Sequence, residues 1–315
     1  MKKFIIKSSL FVVVFFVVSF LLQEMIFWGI NLISVGEFGV LNKIEHGEIN
    51  AEILISGSSR TLKGINPVVI EEETGLSCYN ISSDGVSLEI QVPKLKMYLN
   101  KNKPPKILVQ NVSILGGWIS NSIYEPYKYL PYLSDDDLLE GLEKIDSDFW
   151  IHKYIPVSNL IYFNFDFYVT LLSELKNSIL GENNLIKGFY PDNSKWATSL
   201  EQLKIRRPNG ITVSISNKYN IYLNELIKVC KFYNIKLVLV SLPYHHAIYK
   251  IENKKMDVKS YYERKCYGNN IYFADYSDSE IAKSTMYFYN FTHLNKKGAD
   301  NFSKLLAAKL IELSE

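Results

Sequence analysis

The sequence predicts an α/β protein, a mainly parallel sheet covered by helices and preceded by one transmembrane helix. Two observations predict it. From residue 51 onward, short β-rich apolar runs alternate with longer amphipathic stretches, the pattern of a parallel sheet whose crossovers are helical. Ahead of them, the first 33 residues hold an apolar run long enough to cross a bilayer. With 315 residues, 47% of them hydrophobic, the chain has material for one large core.

The expected strands are 51–56, 78–82, 106–111, 236–241 and 271–274. The expected helices are 67–74, 88–99, 217–233 and 296–313. In the last of these, Phe302, Leu305, Leu306, Leu310 and Leu313 recur at helical spacing and predict a face that docks on the sheet. The stretch 112–215 breaks the rhythm. It is rich in Tyr, Trp and Phe, and insertions at the strand ends of an open sheet commonly build binding surfaces. It is therefore expected to be a substrate-binding insertion and not a second domain.

At the N-terminus, Lys2, Lys3 and Lys7 precede a run from residue 8 to 22 that is apolar except for Ser8, Ser9 and Ser19. A cleaved signal peptide is the rival to an anchor, but the bulky residues Leu21, Leu22, Gln23, Glu24 and Met25 follow where small cleavage-site residues would stand. The expected organisation is a cytoplasmic tip and anchor over 1–33, a linker over 34–50 and the α/β domain over 51–315. Basic residues before the span and Glu24 and Glu37 after it predict a cytoplasmic N-terminus and a domain outside the cell membrane.

Thirty-five basic residues against 33 acidic ones leave a net charge of +2, so no global field would recruit nucleic acid. Cys78, Cys230 and Cys266 lack CxxC spacing, which argues against a zinc or redox site. One disulfide remains open, with Cys230 and Cys266 as the candidate pair.

Two motifs carry chemistry. Gly57-Ser58-Ser59-Arg60 follows the first expected strand directly, where an open α/β sheet places reactive groups. Alone it reads first as a helix cap or a phosphate-free turn; as chemistry, Ser59 is a candidate nucleophile. Near the C-terminus, Asn290-Phe291-Thr292-His293-Leu294-Asn295 precedes Gly298 and the terminal helix, so His293 is a candidate base for that serine. Arg60 is a candidate contact for an anionic substrate, with a salt bridge at the sheet edge as the structural alternative. His245, just past the fourth expected strand, is a candidate substrate contact. Asp135, Asp136 and Asp137 read as a helix cap facing solvent.

Together the two motifs resemble the SGNH (GDSL-type) hydrolase superfamily, whose first block holds the nucleophile in a Gly-Asp-Ser-like turn and whose last block reads Asp-x-x-His. Here Gly57-Ser58-Ser59 and Asn290-x-x-His293 stand in those places. The resemblance is to the membrane-anchored branch with Gly-Ser-Ser turns, which includes proteins of teichoic-acid D-alanylation and alginate O-acetylation. It covers about residue 53 to the C-terminus, without the insertion. It implies a three-layer α/β/α sandwich, with an oxyanion hole formed by the N–H groups of Ser59 and Gly85 together with Asn111. Asn111 lacks the Gly-x-Asn-Asp setting of the family. The implied activity is serine-dependent O-acyl transfer or ester cleavage on a cell-surface or exported polysaccharide. That activity needs an acylated glycan or acyl donor, implies a multi-pass membrane acyltransferase as partner, and requires neither cofactor nor metal.

The chain departs from the pattern at Asn290, where the family has the acid that orients the histidine. Three accounts stay open: Asn290 orients His293 in a dyad, an acid such as Asp275 serves instead, or the fold is kept for binding in a non-catalytic, membrane-tethered scaffold protein.

Overall fold

The computed structural model describes residues 1–117, 119–268 and 271–314. Helix α1 (Lys2–Asn31) is followed by α2 (Gly36–Glu45), β1 (Ile53–Ser56), α3 (Ser59–Gly64), α4 (Pro67–Thr74), β2 (Cys78–Asn80), α5 (Leu88–Lys101) and β3 (Ile107–Val112). The insertion then contributes α6 (Asp136–Glu143), α7 (Ile151–Tyr154), α8 (Phe165–Leu180), α9 (Leu200–Arg206) and β4 (Ile211–Val213). The α/β rhythm resumes with α10 (Asn217–Phe232), β5 (Lys236–Ser241), β6 (Glu252–Lys254), α11 (Val258–Cys266), β7 (Ile271–Asp275) and α12 (Lys296–Ser314).

The central sheet has five strands in the order β2-β1-β3-β5-β7, and its pairings are all parallel. The fold is thus α/β with a parallel central sheet, as the alternation of the sequence predicts. Side chains alternate across each strand, so the faces build separate cores. Leu54, Leu108, Leu237 and Leu239 join a cluster with Leu95 of α5 and Leu223 and Leu226 of α10. Ile53, Ile55, Val109, Val238 and Val240 join another with Phe302, Leu306 and Leu310 of α12. Of the expected α12 face, Leu305 instead points to solvent. β4 and β6 form a small parallel pair of their own that fastens the end of the insertion to the loop after β5.

The order of the central strands reverses direction at β1. One crossover leaves β1 toward β2 and the next brings the chain back to β3, opening a crevice at the carboxyl ends of β1 and β3 where doubly wound sheets place ligands.

α1 is long and apolar enough to cross a membrane, with a mean hydropathy of 2.6 over its best window. It continues past Glu24 as one helix. The expected linker over 34–50 is different from expectation: it contains α2, whose Phe38, Leu41 and Ile44 are buried in the domain core at the spacing of one helical face. Asn42 of α2 donates from Nδ2 to the carbonyls of Ile30 and Ile33, both at 2.8 Å, and so satisfies the open end of α1. Gly36, Glu37, Gly39, Asn42 and Lys43, interleaved with these apolar residues, hide this periodicity. The three cysteines are free thiols, so the candidate Cys230 to Cys266 disulfide is not formed; Cys230 is buried in α10.

Candidate active site

Gly57 ends β1 so tightly that a Cβ on it would lie 2.0 Å from Thr61 Oγ1 and 3.0 Å from Asn111 Cβ, which excludes any side chain there. The chain turns at once into α3, whose first residue is Ser59. The Ser59 N–H, in the first turn, has no intrahelical acceptor and is free to face the crevice. From the other end of the sequence, the loop before α12 brings in His293. Ser59 Oγ lies 2.9 Å from His293 Nε2, across 234 positions of chain.

The other ring nitrogen is held by two oxygens. His293 Nδ1 is 2.9 Å from Thr292 Oγ1 and 3.2 Å from Asn290 Oδ1. Asn290 Oδ1 also accepts from the backbone N–H groups of Thr292 and His293, both at 2.9 Å, which identifies it as the amide oxygen. Thr292 donates its hydroxyl proton to that same oxygen at 3.0 Å, so its own oxygen is left to accept. The ring hydrogen therefore belongs on Nδ1, and Nε2 presents its lone pair to Ser59. Thr292, the tighter of the two orienting contacts, escaped the sequence reading. Its signal is the Asx turn latent in Asn290-Phe291-Thr292, a local geometry that asparagine favours.

Burial, followed by the cations of Arg60 and Lys63, holds the His293 imidazole down at about 3, against a partial opposing effect of Asp192. Among the described residues, no carboxylate contacts the ring. Asp275 ends β7, where it pairs with Lys259 at 3.3 Å and accepts from the Ser277 N–H at 3.0 Å; it is not a partner of His293. Asp192, from the insertion, approaches Lys63 to 3.6 Å. The Tyr289 ring stacks on the imidazole with centroids 5.3 Å apart.

The crevice is about 750 Å³, within the size range of small-molecule sites. Ser59, Gly85, Asn111 and His293 line it, and so do Gly116, Gly117, Arg207 and Thr212 at the two ends of the insertion. Gly85 takes a φ of +66°, and a Cβ there would run into the Tyr124 ring at 2.3 Å, so glycine is required on two grounds. Its loop is propped from below: Lys94, wholly buried and pulled down to about 8 by burial, donates to Ser83 Oγ at 2.7 Å.

The remaining expected residues fare differently. Asn111 reaches the crevice, but its Nδ2 donates to the carbonyls of Val112 (3.2 Å) and Val240 (3.0 Å). Both amide hydrogens are spent at the strand ends, so Asn111 is a brace and not an oxyanion donor. Arg60 is buried, has no carboxylate partner among the described residues, and keeps only Nη1 without a hydrogen-bond partner. Its Nε and Nη2 donate to the carbonyls of Thr292 (3.0 Å), Leu242 (2.9 Å) and Pro243 (3.1 Å), and its guanidinium lies 3.5 Å above the Tyr244 ring. Arg60 therefore ties the His293 loop to the end of β5. His245 turns away from the crevice into an aromatic cluster, 4.6 Å from Trp196 and 4.5 Å from His246. Tyr244 lines the crevice in its place, with its hydroxyl 2.7 Å from Ser113 Oγ. A one-residue offset after Pro243 decides which of the two faces in.

The acidic run caps α6 as read, with Asp135 accepting from the Leu138 N–H at 2.9 Å, but Asp135 does not face solvent: it is buried and also accepts from Asn100 Nδ2 at 3.0 Å. Among the described residues, no group of three or more His, Cys, Asp or Glu side chains is arranged to hold a metal ion. No family model matches this chain, and no curated protein matches it either.

Proposed function

We propose that the chain is a membrane-anchored, serine-dependent O-acyltransferase or esterase of SGNH type, acting on a cell-surface or exported polysaccharide. The observation that carries this reading is the ring relay itself. Nε2 of His293 accepts from Ser59 while Nδ1 is committed to fixed acceptors, at the strand-end crevice of a doubly wound sheet. The same reading takes the sheet with its two flanking cores as the three-layer sandwich, and α1 as a single span with the domain outside the cytoplasm.

In the first half-reaction Ser59 Oγ attacks the carbonyl carbon of an acyl ester as its proton passes to His293 Nε2. The carbonyl oxygen takes up the negative charge facing the Ser59 and Gly85 N–H groups. Collapse breaks the ester C–O bond, and the departing oxygen takes the proton from Nε2. In the second half-reaction a sugar hydroxyl, or water, gives its proton to Nε2, attacks the acyl-serine and releases Ser59 with its proton restored. A multi-pass acyltransferase supplying the acyl ester belongs to this reading.

One observation favours the second reading, a binding or scaffold protein: with burial and two cations against it and no carboxylate among the described residues in contact with it, His293 resists the positive charge that a general base must take on. A fluorophosphonate probe on the detergent-solubilised full chain separates the two. Covalent labelling lost in Ser59→Ala is expected; a parent protein that never reacts leaves the scaffold reading standing.

A further inference from the structure

α1 is fixed to the domain at more than its end. Ser19, Gln23 and Ile30 are its buried side chains, and the 3-10 turn Pro156–Ile161 of the insertion packs against it. Asn159, itself buried, donates from Nδ2 to Gln23 Oε1, and the Ser34 N–H donates to Ser178 Oγ at 3.0 Å. Ile26 and Phe27 also pack against the domain core.

These contacts set a height. At about 1.5 Å per residue, the helix from Phe4 to Gln23 spans roughly the 30 Å of a bilayer core, so Gln23 marks the boundary at the carboxyl end of the span. Ser19 lies about 6 Å deeper, and it too is covered. The turn Pro156–Ile161 therefore reaches the level of the lipid. Around it the surface is apolar and unpartnered. Ile161 is 69% exposed, Phe165 79%, Leu172 64% and Ile179 84%, with Tyr154, Ile155 and Leu160 beside them. On α8 the exposed Phe165, Tyr168, Val169, Leu172 and Ile179 recur at helical spacing on one side, while Phe167 and Leu171 face the core. Lys176 on that side has a stem long enough to carry its charge out to the headgroups. Trp150, Tyr154 and Tyr168, with Trp28 of α1, supply the amphipathic rings that favour the membrane boundary.

We propose that residues 150–180 form a non-spanning wedge that enters the lipid leaflet at the carboxyl end of α1, giving the domain a second membrane contact. The proposal rests on α1 being a membrane span. The occupant is lipid because the face is continuous with the exposed apolar surface of α1, at the depth where α1 itself meets lipid. Such a wedge lies in the interface plane with its apolar side buried about 5–10 Å. It also fixes the tilt of the domain. Glu37, just after α1, accepts from the Asp84 N–H of the crevice loop at 3.3 Å, so the crevice mouth adjoins the membrane side.

The test uses the full chain in phosphatidylcholine vesicles, with an NBD fluorophore on single cysteines introduced by Val17→Cys, Ile161→Cys, Leu172→Cys or Phe232→Cys. The four parent side chains are exposed, so the core is spared; Cys78 and Cys230 are buried, and Cys266 is replaced by Ser in every variant. Phe232 lies just before β5, at the end of the sheet away from the crevice. Lipids carrying doxyl groups on their acyl chains are expected to quench positions 17, 161 and 172 and to spare 232. Quenching at 17 without quenching at 161 and 172 overturns the wedge, leaves the span intact and assigns the face to a protein partner. No quenching at 17 overturns the span and the wedge with it. Quenching at all four positions overturns the wedge as well, because general adsorption would not single out residues 150–180.

Discussion

Among the described residues two Ser-His-Asn constellations stand out, and one of them opens on the crevice. At the crevice, Ser59 meets Nε2 of His293 while Asn290 and Thr292 hold Nδ1, so the two ring nitrogens have separate partners. In the insertion, Ser158 and Asn159 both lie 2.9 Å from the same nitrogen, Nδ1 of His152. Ser158 also donates its proton to the Ile155 carbonyl at 2.7 Å, so no lone pair of the ring waits for it. His152 is buried against Phe149 and Tyr162 rather than beside a cavity, and burial pulls its pKa down. This second cluster is a clasp, through Asn159, on Gln23 of α1. Identity of residues and contact distances near 2.9 Å are shared; which nitrogen each partner takes, and access to a crevice, separate a relay from a knot.

The sharpest way to break this comparison is to remove Ser59, His293 and Ser158 in turn. Ser59→Ala and His293→Ala are each expected to lower aryl acetate turnover by about 10³-fold or more. The double variant should be no worse than either, since nucleophile and base act as one unit. Ser158→Ala should leave turnover unchanged. Equal loss at both serines would erase the distinction drawn here.

Asn290→Asp sharpens it further. The amide oxygen already receives the Nδ1 hydrogen and two backbone N–H groups, so a carboxylate fits the same contacts and adds the charge that stabilises imidazolium. The acid limb of kcat/KM, set in the parent by an imidazole at about 3, should rise by about 1–3 pH units, and acylation should speed up by at least about tenfold. A flat or slower rate would remove Asn290 as the weak link.

The depressed imidazole has a stability signature of known sign. The unfolded chain binds a proton at His293 below about 6.5, whereas the folded protein does so only near 3, so this residue costs stability progressively as pH falls through that window. Chemical denaturation of parent and His293→Gln between pH 7 and pH 4 should show the shallower acid decline in the variant. The difference should be on the order of a few kcal/mol at most. A parallel decline would mean the ring is not held neutral.

The smallest effect belongs to the clasp. Ser158→Ala should lower stability by about 1 kcal/mol, one hydrogen bond's worth, with fluorophosphonate labelling intact. A midpoint shift in urea together with unchanged labelling is the expected pair of readings.

Most of the sheet and its helices were legible in the residues. Strand 236–241 and helix 67–74 were predicted with the bounds they have, and the other expected elements differ by at most two residues at either end. An apolar run bounded by turn residues needs no tertiary partner to be recognised. The insertion was not legible in the same way. Its ends line the crevice, and its middle, 150–180, packs on α1, because a hydrophobic stretch declares that it will be covered without saying by what. The expected linker failed for the related reason that α2 is amphipathic over fewer than three turns.

Ser59 and His293 could be chosen from sequence because each sits in a local motif that presents its own side chain. Asn290 shares that logic, since an Asx turn is local. By contrast, the roles of Asn111, Arg60 and His245 depended on which carbonyls and rings lie across the strand ends, on residues up to 232 positions away. Their side chains had two or more physically reasonable partners, and only the packed sheet chose among them. The local chain determined where reactive groups stand; tertiary structure decided which donors were already spent, because a hydrogen satisfied by a buried carbonyl is no longer there for a substrate.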